Sequence, residues 1–94
     1  MIAKVTLHTV KPGKMEEAKK QVIENTKPAK DTGALAARYM MLSRGNPSRL
    51  TTVTIWKDKK IMDEFGKKAM AKATSADNPW AKIDSDEYDV IQLV

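Results

Sequence analysis

The chain has no cysteine, one histidine and one phenylalanine in 94 residues. Without cysteine there is no disulfide and no thiolate metal site. The lone His8 makes no conventional metal site either, because no nearby His or carboxylate stands at ligand spacing. No run of about 18 apolar residues occurs, so no membrane-spanning helix is expected. The opening stretch MIAKVTLHTV lacks the long apolar core and small-residue cleavage site of a secretion signal. Together with the missing cysteines it reads as cytoplasmic. P-loop, dinucleotide, nucleophile-elbow and zinc motifs are all absent. No metal and no cofactor are expected.

What is present describes one domain spanning residues 1–94. An apolar fraction of 41% with 31% charged residues is globular rather than disordered. The net charge of +5 raises nucleic acid as a partner. Its distribution argues against that. Lys14, Lys19, Lys20, Lys59, Lys60, Lys67, Lys68 and Lys72 are interleaved with Glu16, Glu17, Glu24, Asp63 and Glu64, as on the wet faces of helices. No strand carries the aromatic-and-basic pattern that stacks single-stranded bases.

Ile2 to Val10 reads as a strand, with Val5, Leu7 and Thr9 on one face and Lys4, Thr6, His8 and Val10 on the other. Pro12-Gly13 ends it. Lys14 to about Thr26 has helical spacing of Met15, Ala18 and Val22, and Pro28 is expected to bend or end that helix. Gly33 suits a left-handed exit. Leu35 to Ser43 is a second strand, apolar on both faces, and Arg44 to Ser48 is a turn that makes a hairpin with a third strand, Leu50 to Trp56. Asp58 caps a second helix, Lys59 to about Lys72, in which Gly66 reads first as a tolerated defect and second as room for close packing or a ligand. Ala73 to Asp77 is a small-polar link. Asn78-Pro79 predicts a single helical turn holding Trp80 and Ile83, then an acidic connection from Asp84 to Glu87. Tyr88 to Val94 is the expected last strand.

The order is β-α-β, β-α-β. It predicts an α+β, ferredoxin-like four-stranded antiparallel sheet with both helices on one face. Apolar residues on the second face of the strands call for a cover, and a second copy of the sheet supplies it, giving a homodimer that closes an α+β barrel.

The passage LTTVTIWKDKKIMDEF resembles the antibiotic biosynthesis monooxygenase superfamily of dimeric α+β barrels. So do the turn Val10 to Lys14, the exit Lys27 to Gly33 and the Asn46-Pro47 loop before the strand that closes on Trp56. The resemblance covers nearly the whole chain. It implies oxygenation of quinols or polyketide aromatics without metal or flavin, or haem degradation, or isomerisation of small signalling compounds. Many members of the family carry a His about nine residues after the strand-three Trp; Phe65 stands there in this chain. The haem-degrading branch uses a His late in the second helix, and Ala69 to Ala76 holds none. That branch also has an Asn in strand one and a Trp in helix two, where Thr6 and Gly66 fall. Haem degradation is therefore not expected.

His8 is the first candidate for catalysis, as a proton shuttle in a pocket between sheet and helices, with Thr6 beside it. The plainer account of His8, a half-buried strand residue held by a hydrogen bond, ranks ahead of that one. Trp56 and Phe65 would line an aromatic pocket, although core packing is the simpler role for both. Trp80 would cap the pocket or pack on a partner subunit. Arg38 would meet an anionic ligand or pair across the dimer, with an edge-strand ion pair the duller option. Tyr39 would donate to a substrate oxygen or simply reach the surface. The chain is thus read as a cofactor-independent monooxygenase for a small aromatic or quinone-like compound. The alternative is a non-catalytic dimeric ligand-binding or interaction module.

Overall fold

The computed structural model describes residues 1–73 and 77–94. Its elements are β1 (Ile2–Val10), α1 (Met15–Asp31), β2 (Leu35–Leu42), β3 (Arg49–Trp56), α2 (Lys59–Ala73) and β4 (Trp80–Asp89). The strands form one antiparallel sheet in the order β2-β3-β1-β4. Central β1 pairs with β3 from Ile2 opposite Trp56 to Thr9 opposite Arg49. This is the expected ferredoxin-like sheet with two helices on one face. Among the described residues no helix is long and apolar enough to cross a membrane.

The helices cover the β1 face that carries Ile2, Lys4, Thr6, His8 and Val10. Two apolar clusters hold the layers together. One gathers Val10, Leu50 and Trp80 from the sheet with Ala18 and Val22 from α1. The other gathers Trp56, Ala29, Ala34 and Met62, with Leu35 and Phe65 packed against it. Leu50 and Met62 are 0% and 1% exposed, and burying a side chain of that size contributes about 1.5–3 kcal/mol. The clusters sit at opposite ends of β1, which leaves Lys4, Thr6 and His8 between them.

Several local expectations change. Helix α1 runs through Pro28 to Asp31 instead of ending near Thr26. Proline cannot donate to the Glu24 carbonyl, but both residues lie on the exposed face, where water can take that acceptor. Fully buried Ala29 anchors the last turn. The Thr32 hydroxyl donates to the Ala29 carbonyl at 2.7 Å, and Gly33 leaves the helix at φ +77°. Helix α2 starts as expected, with the Ile61 amide donating to the Asp58 carboxylate at 3.0 Å.

The predicted helical turn at Trp80 and Ile83 is a strand. The Asn78 carboxamide oxygen accepts from the Trp80 amide at 2.9 Å, a bond that opens turns as readily as helices. Strand pairing decides, with Trp80 opposite Val10 and Ile83 opposite His8. The acidic stretch Asp84 to Glu87 is likewise strand, on the exposed edge where charge is tolerated. The last strand therefore ends at Asp89 and does not run on to Val94. The Val90 amide donates to the Met1 carbonyl at 3.0 Å, and beyond it Ile91 and Leu93 are 79% and 89% exposed. The link expected at Ala73 to Asp77 has its middle, residues 74–76, outside the described residues.

The second sheet face carries no covering element among the described residues. Leu7, Tyr39, Met41 and Tyr88 are all exposed on it. Leu50→Ala is expected to lower the unfolding free energy by about 2–5 kcal/mol, because the cluster at that end of β1 cannot collapse around the void. Urea denaturation measures it, and a loss under about 1 kcal/mol would show that this cluster does not carry the fold.

Candidate functional site

Between the two apolar clusters lies a cavity of about 110 Å³. Its floor is the polar middle of the sheet: Lys4 and Thr6 of β1, Thr52 and Thr54 of β3, Arg38 of β2 and Ser85 of β4. Its other walls carry Trp56, Met62, Phe65, Met70 and Trp80, with Gln21, Asn25 and Lys72 from the helices. The volume is single-ring scale, since a cavity near 150 Å³ holds benzene.

Two one-residue bulges aim the floor. On β2 the pairing steps from Leu35 opposite Trp56 to Ala37 opposite Ile55. The extra residue, Ala36, puts Leu35 and Arg38 on the same, helix-facing side. On β4 the pairing steps between Thr9 opposite Lys82 and Val10 opposite Trp80. The extra residue, Ala81, brings Trp80 and Ile83 to one face. Strict alternation would have sent one of each pair outward.

His8 is buried, and its Nδ1 lies 3.1 Å from the Leu50 carbonyl oxygen. A carbonyl only accepts, so Nδ1 carries the proton and Nε2 holds the lone pair. The Trp80 ring packs against the imidazole, with centroids 4.4 Å apart at a 37° tilt. Burial pushes the imidazole below its ordinary pKa of 6.5; the Leu50 carbonyl acts upward, and the Arg38 charge pushes it further down. His8 is therefore neutral at physiological pH, with a basic nitrogen available.

Arg38 spans from the sheet to α1. Its Nε donates to the Thr26 hydroxyl at 3.1 Å, one terminal nitrogen to the Thr54 hydroxyl at 3.0 Å, and the other to the Val22 carbonyl at 3.3 Å. All three acceptors are neutral. Among the described residues it forms no edge-strand ion pair, because the Ala36 bulge turns it inward. Burial lowers its pKa from the ordinary guanidinium value, yet a guanidinium stays charged near neutrality. Thr6 and Ser85 share a hydroxyl hydrogen bond of 3.1 Å on the floor. Trp56 and Phe65 pack with ring centroids 5.3 Å apart, so each belongs to the core and to the cavity wall at once.

Of the residues singled out from sequence, His8, Thr6, Trp56, Phe65, Trp80 and Arg38 line the cavity. Tyr39 does not. It is opposite Val53 on the uncovered face and 56% exposed, because the pleat sends it away from its neighbour Arg38. Lys4, Thr52, Thr54 and Ser85 were not singled out. Alternation placed Lys4 with Thr6 and His8, and Thr52 with Thr54, but it does not say which face is covered. Gly66 faces the Lys4 side chain: a Cβ there would lie 2.6 Å from the ammonium nitrogen, which would have to swing aside. Among the described residues no cluster of three or more His, Cys, Asp or Glu could hold a metal.

The chain is an α+β protein with a ferredoxin-like sheet and a polar-floored cavity under two helices. Its fold is that of the antibiotic biosynthesis monooxygenase structures. One of these, at 11% identity and TM-score 0.75, matches 98% of this chain and 100% of its own. The haem degrader MhuD from Mycobacterium tuberculosis is similar at 15% identity and TM-score 0.77, over 100% of this chain and 99% of that one. A protein from Shewanella oneidensis is similar at 21% identity and TM-score 0.79, over 93% and 87%. No family model and no curated protein matches the sequence itself.

The His8 shift sets a pH dependence. As pH falls through about 6.5 the unfolded chain protonates His8 while the folded chain still resists, so protons favour unfolding. Stability contributed by neutral His8 is complete above that pH and declines below it, until the folded imidazole also protonates. Denaturation between about pH 7.5 and pH 5.5 should show the decline. His8→Asn, whose amide nitrogen can replace Nδ1 toward the Leu50 carbonyl, should flatten it. An unchanged slope in that variant would assign the dependence to other groups.

Proposed function

We propose that the chain is a cofactor-independent monooxygenase acting on a single-ring aromatic of the quinol type. The observation that carries this reading is the buried His8. Its Nδ1 proton is committed to the Leu50 carbonyl, so Nε2 is left as a base in the wall of a ring-sized cavity. His8 would take the hydroxyl proton of the quinol. The resulting anion gives electrons to dioxygen. One oxygen atom joins the ring and the other leaves as water, so quinol plus dioxygen becomes hydroxyquinone plus water. All four electrons come from the ring, and the protein supplies deprotonation, position and a water-poor pocket.

MhuD acts on haem, and the fold is shared. For this chain we favour a smaller substrate, because a cavity of about 110 Å³ is far below the size of a tetrapyrrole. The reading includes a homodimer. Leu7 and Met41, 49% and 48% exposed on the bare sheet face, would pack on a second copy and close the barrel. A second reading, a binding module without catalysis, draws on Phe65. Stacked on Trp56, it occupies the α2 position where many monooxygenases of the resemblance carry a His.

Oxygen uptake with a panel of hydroquinones and polyphenols tests the reaction. Turnover that falls by about 100-fold or more in His8→Ala is expected of a general base. Equal rates would remove His8 from the mechanism, and no uptake with any member would favour the binding module. Light scattering should give a mass near twice 10.5 kDa at micromolar concentration. A monomer would leave the exposed sheet face unexplained.

A further inference from the structure

The charges around the cavity are one-sided. Lys4, Arg38 and Lys72 line it, and no Asp or Glu does among the described residues. Arg38 donates only to neutral oxygens. Among the described residues the Lys4 ammonium has neither an ion pair nor a hydrogen bond; its cross-strand neighbour Glu87 lies 3.9 Å from Lys59 instead. The Lys4 ammonium occupies the space over Gly66 that any larger residue would fill. The Arg38 guanidinium and the half-buried Lys4 side chain face one cavity. That arrangement lacks its counter-charge.

We propose that the cavity is an oxyanion site: it holds a single-ring aromatic as its phenolate or carboxylate, with Lys4 and Arg38 as counter-charges. The proposal rests on the reading of the cavity as a small-molecule site and names the ionic state in which the ligand sits there. The ring packs on Trp56, Phe65 and Trp80, while the oxyanion meets the floor, where the Thr6 and Thr52 hydroxyls add donors. Gly66 is a positioning residue, because it lets the Lys4 ammonium pass under α2. In an oxygenase this field would assist deprotonation by lowering the pKa of the bound hydroxyl, so that neutral His8 can take the proton.

Three probes test it by equilibrium binding. 4-Nitrophenol reports its own ionisation by absorbance, 4-nitroanisole is the same ring without an acidic proton, and 4-nitrobenzoate carries a fixed carboxylate. Bound 4-nitrophenol is expected to ionise about one pH unit lower than free, which equals about tenfold tighter binding of the anion. 4-Nitroanisole should bind about tenfold more weakly than the phenolate. 4-Nitrobenzoate binding as tightly as the phenolate assigns the site to oxyanions in general; weaker binding assigns it to ionised hydroxyls. Lys4→Met and Gly66→Ala should each weaken anion binding about three- to tenfold and leave 4-nitroanisole unchanged. Gly66→Ala keeps every charge and favours the helix, so its loss would report the position of Lys4. Arg38→Met is expected to act likewise, but it also removes the link from β2 to α1, so the other two variants decide. Equal binding of phenol and anisole, no downward shift of ionisation, or no binding of any probe by folded protein would overturn the proposal. Oxygen uptake without anion preference would remove this inference and keep the enzyme. Anion preference without oxygen uptake would do the reverse.

Discussion

The helix-facing row of the central strand is apolar only at its ends. Ile2 and Val10 pack into separate clusters, and Lys4, Thr6 and His8 lie between. Buried polar atoms must find partners, because an unmade hydrogen bond costs about 1–3 kcal/mol while a made one contributes about 1 kcal/mol net. That requirement shapes the middle of the molecule. His8 is tied to Leu50, and Arg38 ties Thr54 to Thr26 and the Val22 carbonyl. Among the described residues no buried side-chain polar atom is left without a partner. A polar floor cannot be filled by the apolar faces of helices, so the helices seal the ends and a cavity remains between them.

The two bulges do most of the aiming. Each adds one residue to an outer strand while β1 and β3 keep an unbroken register at the centre. Ala36 lets Leu35 join one core cluster while Arg38 enters the cavity. Ala81 lets Trp80 join the other cluster while Ile83 sits opposite His8. Two side chains that act on His8, a ring at 4.4 Å and a guanidinium charge, thus come from the two edge strands. Small changes in edge pairing would alter the surroundings of His8 without touching its own strand.

The fold is shared with the haem degrader MhuD and with antibiotic biosynthesis monooxygenase structures, and a fold by itself does not decide a function. In this chain the choice is made by contents. Phe65 and Trp56 narrow one end of the cavity, and the side chain missing at Gly66 admits a lysine. Ring-sized space and excess positive charge therefore occur together. Both follow from residues at the sheet-helix seam, where a single methyl group would shift the Lys4 ammonium.

Periodicity and turn chemistry alone determined the element order, the hairpin at Arg44 to Ser48, the Asp58 cap and the left-handed Gly33. Each of these is a local preference of the backbone or a short side chain. The grouping of Lys4, Thr6 and His8 on one face was also legible, because the strand period is two. Which face the helices cover was not, because both faces of the sheet carry apolar residues. Asn78-Pro79 pointed to a helical turn, since its side-chain bond serves strand and helix entries alike, and only pairing with Val10 and His8 made Trp80 a strand residue. Tyr39 and Arg38 are adjacent in sequence and end on opposite faces, and a bulge invisible to periodicity chose which one faces the cavity. The local code wrote the elements. The tertiary structure decided the site, because cross-strand register and the packing of α2 over Lys4 depend on residues far apart in the chain.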